Sequence, residues 1–348
     1  MGAWESGRRR LCCCRRGPPS GDGEHLSRVP ALLIFLLVSS VPLAIIASLE
    51  RSAAGFTFQT PDWICECAKW DPVGRSFLVS TFLGGSVARL TLEDPQAVGG
   101  ALTQRTVLSD PDVAGNASLG MAIDRGSGRR RILVVYADLL RCRSSSVAAY
   151  DLESWSRIFL THLSGPGECS YADDVAVDDD GNAYVTDAKG NRIWKVGLNG
   201  ELISVIRSQL FAQRKEWYYN FVGLNGIVYH PDGYLLVIHT ASGHLFRVNT
   251  TTEEVTVVQV RGSLLMGDGM ELISPNKLVI AGTPSARVIE SFDGWETANV
   301  TAWYIGPMHR IASSATVKDG RIYLNHLVGV GMAKKTHVIA EAVFLPNK

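Results

Sequence analysis

The chain has 348 residues, and its 34 lysines and arginines are balanced by 34 aspartates and glutamates. That neutrality argues against nucleic acid as the main partner, since phosphate binding leaves a basic excess. Apolar residues make up 46%, ample for a large core, and the length allows one or two domains.

The first 28 residues carry Arg8, Arg9, Arg10, Arg15, Arg16 and Arg28 against Glu5, Asp22 and Glu24. Residues 29–49 then run without a charge, a length that spans a bilayer core, and Pro42 is tolerated within a membrane helix. The arginine bias predicts a cytosolic N-terminus. The expected organisation is a basic cytosolic tail over 1–28, a single transmembrane signal anchor over 29–49, a linker over 50–62 and a body over 63–346. That body would lie in the lumen of the secretory pathway or outside the cell. A cleaved signal peptide, with Ser52-Ala53-Ala54 as its cleavage site, is the rival reading, and a buried core helix a third. Met1-Gly2 with Ser6 fits a myristoylation pattern, and Cys12, Cys13 and Cys14 fit palmitoylation, but both patterns are short.

Three Asn-x-Ser/Thr acceptors, at Asn116, Asn249 and Asn299, fall in the body and none in the tail, in keeping with a lumenal body. Cys65, Cys67, Cys142 and Cys169 allow three disulfide pairings, and the sequence does not choose between them. The lack of a pair of CxxC motifs argues against a zinc ribbon.

The body reads as short strands. Within residues 176–206 an alternating strand ends at an Asp-Gly turn, and AYVTD follows. RIWKV comes after Lys189-Gly190-Asn191, and ELISVI after an Asn199-Gly200 turn. Asn-Gly is a strong hairpin signal, and four strands in a meander make one propeller blade. The turn between first and second strands recurs near Asp71, Asp124, Asp178, His230, Ser274 and Lys318, at spacings of 53, 54, 52, 44 and 44 residues. A repeat of that length predicts an all-β fold, a six-bladed β-propeller behind the N-terminal transmembrane helix. One short helix is expected over residues 209–219.

In a propeller the first strand of each blade lines the central axis. Counting back from each turn places Glu66, Leu119, Asp173, Asn225, Asp268 and Ser313 at equivalent positions, Asp268 with a slip of one residue. Three carboxylates and an amide at one end of a narrow channel repel one another if left empty. A hard cation that takes oxygen ligands resolves this, and calcium does so with flexible geometry; zinc would favour His or Cys. The predicted metal set is Glu66, Asp173, Asn225 and Asp268, with calcium or another divalent cation as cofactor. Turn capping explains any one of these residues equally well, but less readily four at equivalent positions. Near the expected mouth, His309 is a candidate acid or base and Arg310 a candidate anion binder. Trp217, Tyr218, Tyr219 and Phe221 are candidate pocket walls. For each of these a purely structural role is the alternative. Cys65 and Cys67 fall on the strand face opposite Glu66, which argues against a nucleophile. There is no Gly-x-Ser-x-Gly elbow, P-loop or HExxH site.

These residues also carry a resemblance. The body, over about residues 63–344, resembles the senescence-marker-protein, gluconolactonase and luciferin-regenerating-enzyme family, whose plant members are called calcium-dependent phosphotriesterase-like proteins. The matching features are Glu66 four residues before Trp70-Asp71, and Leu224-Asn225-Gly226 ahead of Pro231-Asp232-Gly233. Gly267-Asp268-Gly269-Met270 matches too, as does Asp173-Asp174 where the family has Asn-Asp. The resemblance implies a metal held by Glu66, Asp173, Asn225 and Asp268. It also implies that Asp268 is the base that takes a proton from water, in calcium-dependent hydrolysis of a small lactone or ester. The chain is similar to the membrane-anchored paraoxonases as well, but has Leu119 where they carry a histidine. A non-catalytic NHL-like propeller that binds a protein or glycan around structural calcium is the alternative function. A condensing relative of strictosidine synthase is a third, less compatible with an intact oxygen ring.

Overall fold

The computed structural model describes residues 34–42, 44–45, 48, 55–94, 96–97, 99–124, 126, 128–165, 167–212, 222–284, 286–306 and 310–346. The chain divides into two units, Met1–Arg51 and Ser52–Lys348. In the first, residues 34–42, 44–45 and 48 are helical. Among the described residues no helix is long and apolar enough to cross a membrane; the rest of the expected span over 29–49 lies outside them.

The second unit is all-β, built from antiparallel four-strand meanders. The first comprises Cys65–Asp71, Ser76–Thr81, Ser86–Thr91 and Thr103–Ser109, and the second Ala117–Asp124, Arg131–Ala137, Ser145–Asp151 and Arg157–His162. The third is Ala172–Val177, Ala183–Asp187, Arg192–Val196 and Leu202–Arg207. The fourth is Leu224–His230, Tyr234–His239, His244–Asn249 and Val255–Arg261, and the fifth Gly267–Ser274, Lys277–Gly282, Ala286–Glu290 and Thr297–Tyr304. The first strands end where the turn signals fall. In the third meander, for example, Asp178 Oδ1 accepts from the Asn182 amide at 2.8 Å, and Gly181 adopts φ +89°, a conformation that glycine takes without strain.

The last meander is completed from the other end of the chain. Ala312–Lys318, Arg321–His326 and Lys335–Glu341 supply three strands, and Gly55–Thr60 pairs antiparallel with the third, from Gly55 opposite Ala340 to Thr60 opposite Lys335. Much of the expected linker over 50–62 is therefore a strand. The physical reason is period-two burial: Phe56 and Phe58 point inward and are buried, and Phe56 lies 5.4 Å from Phe77 and 5.5 Å from Tyr323.

The first strand of each meander touches that of the next, and Cys65–Asp71 also touches Ala312–Lys318, so these strands close a ring. An apolar cluster fills every junction. Leu78, Val87, Met121 and Ile132 join the first meander to the second, and Phe77, Val79, Tyr323 and Ile339 join it to the last. Apolar clusters between successive layers, rather than one central core, are what a propeller requires. The fourth and fifth meanders are also joined by a parallel pairing of Gln259 to Arg261 with Thr297 to Asn299. A 3-10 turn over Gln209–Ala212 stands at the start of the expected helix over 209–219; the rest of that helix lies outside the described residues. Cys142 and Cys169 form a disulfide, while Cys65 and Cys67 are buried and unbridged.

Candidate functional site

Each first strand begins with a break in its pairing to the second. In the first meander Cys65 pairs with Thr81 and Ala68 with Val79, so Glu66 and Cys67 oppose a single partner residue. The same two-against-one bulge holds Leu119 and Gly120, Asp173 and Asp174, Asn225 and Gly226, and Asp268 and Gly269. In the last meander the single residue Ser313 is extra. Such bulges re-aim side chains at strand ends, and the six positions counted from the sequence are those they hold. A second irregularity in Gly267–Ser274, between Leu272 and Ser274, accounts for the one-residue slip at Asp268.

The second bulge position faces the neighbouring first strand. A Cβ on Gly226 would overlap the Asp268 carbonyl oxygen, and one on Gly269 would lie 2.6 Å from the Ser313 carbonyl oxygen. Where this position is not glycine it bonds to its neighbours. Asp174 accepts from the Val175 amide at 2.9 Å and, across the junction, from the Ile227 amide at 3.3 Å. Thr186 Oγ1 donates to the Asn225 carbonyl at 2.7 Å and accepts from the Asp174 amide at 3.1 Å. Ser313 Oγ donates to the Glu66 carbonyl, which also accepts from Asn325 Nδ2 at 3.0 Å. Ser313 thus fixes the Glu66 backbone.

Glu66, Asp173 and Asp268 lie close enough to perturb one another. Burial pushes the Glu66 carboxyl well up, Asp173, Asp268 and Asp174 push it further, and Lys69 opposes. Burial, then Asp268, Asp174 and Asp187, do the same to Asp173. Asp268 is raised to about 7 by burial; a side-chain hydrogen bond from Asn225 opposes this, Asp174 adds to it, and the Gly269 amide opposes it. Burial takes Asp174 to about 6, against Lys69 and two backbone amides. Farther along the strands a cavity of about 410 Å³ is lined by Lys69, Tyr229, Glu271 and Thr316 among others, and Lys69 Nζ donates to Glu271 Oε2 at 2.8 Å.

The second-meander position is apolar. Leu119 is buried with Ala117 and Ala137 beneath the partly exposed Phe82, Leu139 and Tyr171. The Tyr171 hydroxyl is pushed up by burial and then by Asp173 and Glu66, which places this apolar wall beside the carboxyls.

Other sequence candidates fare differently. Arg310 is buried, and its Nη1 donates to the carbonyls of Val328 at 2.9 Å and Thr336 at 2.6 Å. It pins the last meander and does not fit an anion-binding role. His309, Trp217, Tyr218, Tyr219 and Phe221 lie outside the described residues. Burial raises both the Cys65 and Cys67 thiols, which suits inert core side chains. Asp174 and the Phe82–Leu139–Tyr171 wall were missed from sequence. The Asp173-Asp174 doublet was the only available signal for the former.

Three carboxylates and an amide oxygen form a donor set suited to a hard cation. Glu66 Oε2 is buried with no hydrogen-bond partner, an orphan that a cation would satisfy. Among the described residues, no three His, Cys, Asp or Glu side chains already form a group that could hold a metal ion.

No family model matches the chain, and no curated protein does. Solved structures do resemble it. The allergen Mala s 1 of Malassezia sympodialis is 16% identical with a TM-score of 0.62, over 82% of this chain and 96% of that one. Virginiamycin B lyase from Staphylococcus aureus is 13% identical with a TM-score of 0.51, over 80% and 82%. A streptogramin B lyase is 13% identical with a TM-score of 0.51, over 84% and 98%. Mala s 1 and virginiamycin B lyase are β-propeller proteins, and likeness at this identity establishes the β-propeller architecture alone.

Proposed function

We propose that this chain is a six-bladed propeller of the gluconolactonase type that binds a divalent cation, calcium first, and hydrolyses a small lactone or ester. The observation that carries the reading is the set of bulges. They bring Glu66, Asp173, Asn225 and Asp268 to one end of the closed strand ring, with mutually raised carboxyls and an orphaned Glu66 oxygen. Those four residues would hold the ion. When bound, calcium supplies Lewis-acid polarisation of a carbonyl oxygen and acidifies water. Asp268, oriented by Asn225 and the Gly269 amide, is the carboxylate proposed to accept the proton. Phe82, Leu139 and Tyr171 offer the acyl portion an apolar wall. Two of the similar structures are named as lyases, so the architecture is compatible with catalysis.

The body is proposed to be lumenal or extracellular, anchored through residues 29–49. The Cys142–Cys169 disulfide supports this, because such bonds persist in oxidising compartments. Leu119 favours a second reading: a binding propeller with structural calcium would need no polar group at that position.

The test is to purify the full chain in detergent, measure bound metal, and assay a panel of lactones and aryl esters. Bound calcium with turnover that falls about 100-fold or more in Asp268→Asn supports the hydrolase. Bound calcium with no turnover on any substrate favours the binding module. A protein that binds no divalent cation overturns the ring reading itself.

A further inference from the structure

The three Asn-x-Ser/Thr acceptors occupy different environments. Asn249 ends the third strand of the fourth meander, at the end of the ring opposite the carboxyls. Its Oδ1 accepts from the Thr251 and Thr252 amides, each at 2.9 Å. This Asx turn fixes the side chain through its oxygen and leaves Nδ2, the atom that is modified, uninvolved in the turn. Thr251, the hydroxyl residue of the motif, is exposed. Asn299 lies on the outer strand Thr297–Tyr304, paired with Glu290 and, across the junction to the fourth meander, with Arg261. It is exposed, while its neighbours Ala298 and Val300 are buried on the other face. Thr301, the hydroxyl residue of the motif, is half-buried and is the extra residue of a bulge, between Val300 opposite Ile289 and Ala302 opposite Val288.

Asn116 is placed otherwise. It stands just ahead of Ala117–Asp124, at the carboxyl end, three residues before Leu119. Its motif hydroxyl, Ser118, is fully buried and donates to the carbonyls of Thr81 at 3.2 Å and Ser86 at 2.9 Å, stitching the first two meanders together. Asn116 Oδ1 accepts from Ser144, and its backbone carbonyl lies against Gly85. The motif is sequestered once those meanders dock, and a glycan there would crowd the candidate site.

We infer that Asn249 and Asn299 are N-glycosylation sites and that Asn116 is left unmodified. The inference rests on the lumenal placement of the body proposed above. The co-substrate class is a lipid-linked oligosaccharide diphosphate. Transfer forms a bond from Nδ2 to the anomeric carbon and breaks the bond from that carbon to the diphosphate oxygen. The lipid diphosphate leaves, and the amide proton goes to solvent. The Asn249 glycan would then project from the rim of the fourth meander away from the carboxyl end.

The experiment expresses the full chain in a secretory eukaryotic cell and compares gel mobility before and after peptide-N-glycosidase. The expected result is two glycan steps. Asn249→Gln and Asn299→Gln should each remove one, and Asn116→Gln none. Thr251→Ala and Thr301→Ala repeat the test with the asparagines intact, in case a glutamine variant misfolds. A step that survives at either site in its variants, or one lost in Asn116→Gln, overturns the assignment. A chain with no enzyme-sensitive step also overturns it. Thiol alkylation of Cys142 and Cys169 in the same sample then shows whether lumenal placement has failed too: an oxidised pair means the site assignment alone is wrong, a reduced pair that both are.

Discussion

At the scale of single residues, the site's chemistry is set by burial acting on like charges. Glu66 is a carboxyl raised by its surroundings and by Asp173 and Asp268. A folded-state value above the unfolded one carries no penalty below the unfolded value, near pH 4, and destabilises progressively as pH rises. In chelator, wild type should therefore lose stability on going from pH 5 to pH 8, and Glu66→Gln should lose less. Calcium at about a hundred times its Kd should restore about 2.7 kcal/mol to wild type and markedly less to Glu66→Gln. Denaturant titrations with and without calcium check both; equal calcium responses would remove Glu66 from the ligand set. His239 titrates with the opposite sign. Burial and then His244 lower it to about 4. It folds as the neutral imidazole, so its contribution is complete above about pH 6.5 and is lost as pH falls towards 4. The loss amounts to about 3 kcal/mol. His239→Gln should flatten the acid limb of the stability profile relative to wild type. The ring carboxyls are common to both proteins and cancel in that comparison.

At the scale of the strand, the bulge is the device that makes a site out of a repeat. It sets two residues against one and sends the first towards its counterparts at the same end of the ring. It also brings the second against the next strand, where Gly226 has no room for a methyl group. Gly226→Ala would drive a Cβ into the Asp268 carbonyl. We expect a loss of about 1–3 kcal/mol, the range for overpacking, and weaker calcium binding than in Gly233→Ala, where a Cβ meets nothing within 4 Å. Calorimetry on both variants separates local strain at the site from the general effect of changing glycine in a turn. The turns were legible in the sequence because Asp-Gly and Asn-Gly carry a conformational signature, and counting from them reached Glu66, Asp173, Asn225 and Asp268. The bulges were not legible, because an extra residue in a strand leaves no compositional mark. For that reason Asp268 looked one residue out of step and Asp174 passed as a duplicate of Asp173. Arg310 was misread because an arginine anchored to carbonyls of its own meander looks, in sequence, like one that faces a ligand.

At the scale of the molecule, the closure of the ring depends on residues that the sequence does not bring together. Three strands of the last meander come from residues 312–341, and the fourth comes from Gly55–Thr60, whose partners lie 275 to 285 positions later in the chain. Nothing local marks GFTFQT as the partner of KTHVIAE, since pairing at that separation is a property of the closed ring. Without it, Lys335–Glu341 would be an open edge, and open edges invite association with other chains. Phe56 and Phe58 would also leave the cluster that joins the last meander to the first. A chain beginning at residue 52 should therefore fold, melting within a few degrees of the longer protein. One beginning at residue 61, shorter by only nine residues, should be insoluble or aggregate on refolding. The double variant Phe56→Ala, Phe58→Ala tests the same closure with the backbone intact. Each truncation of a buried phenylalanine costs about 3–5 kcal/mol, a large share of the stability of any domain. If the chain from residue 61 remained monomeric with an unchanged melting temperature, the N-terminal strand would be an ornament on a ring closed by other means. If it fails as expected, the segment between the proposed anchor and the body is part of the body. Any soluble form of this protein then has to retain it.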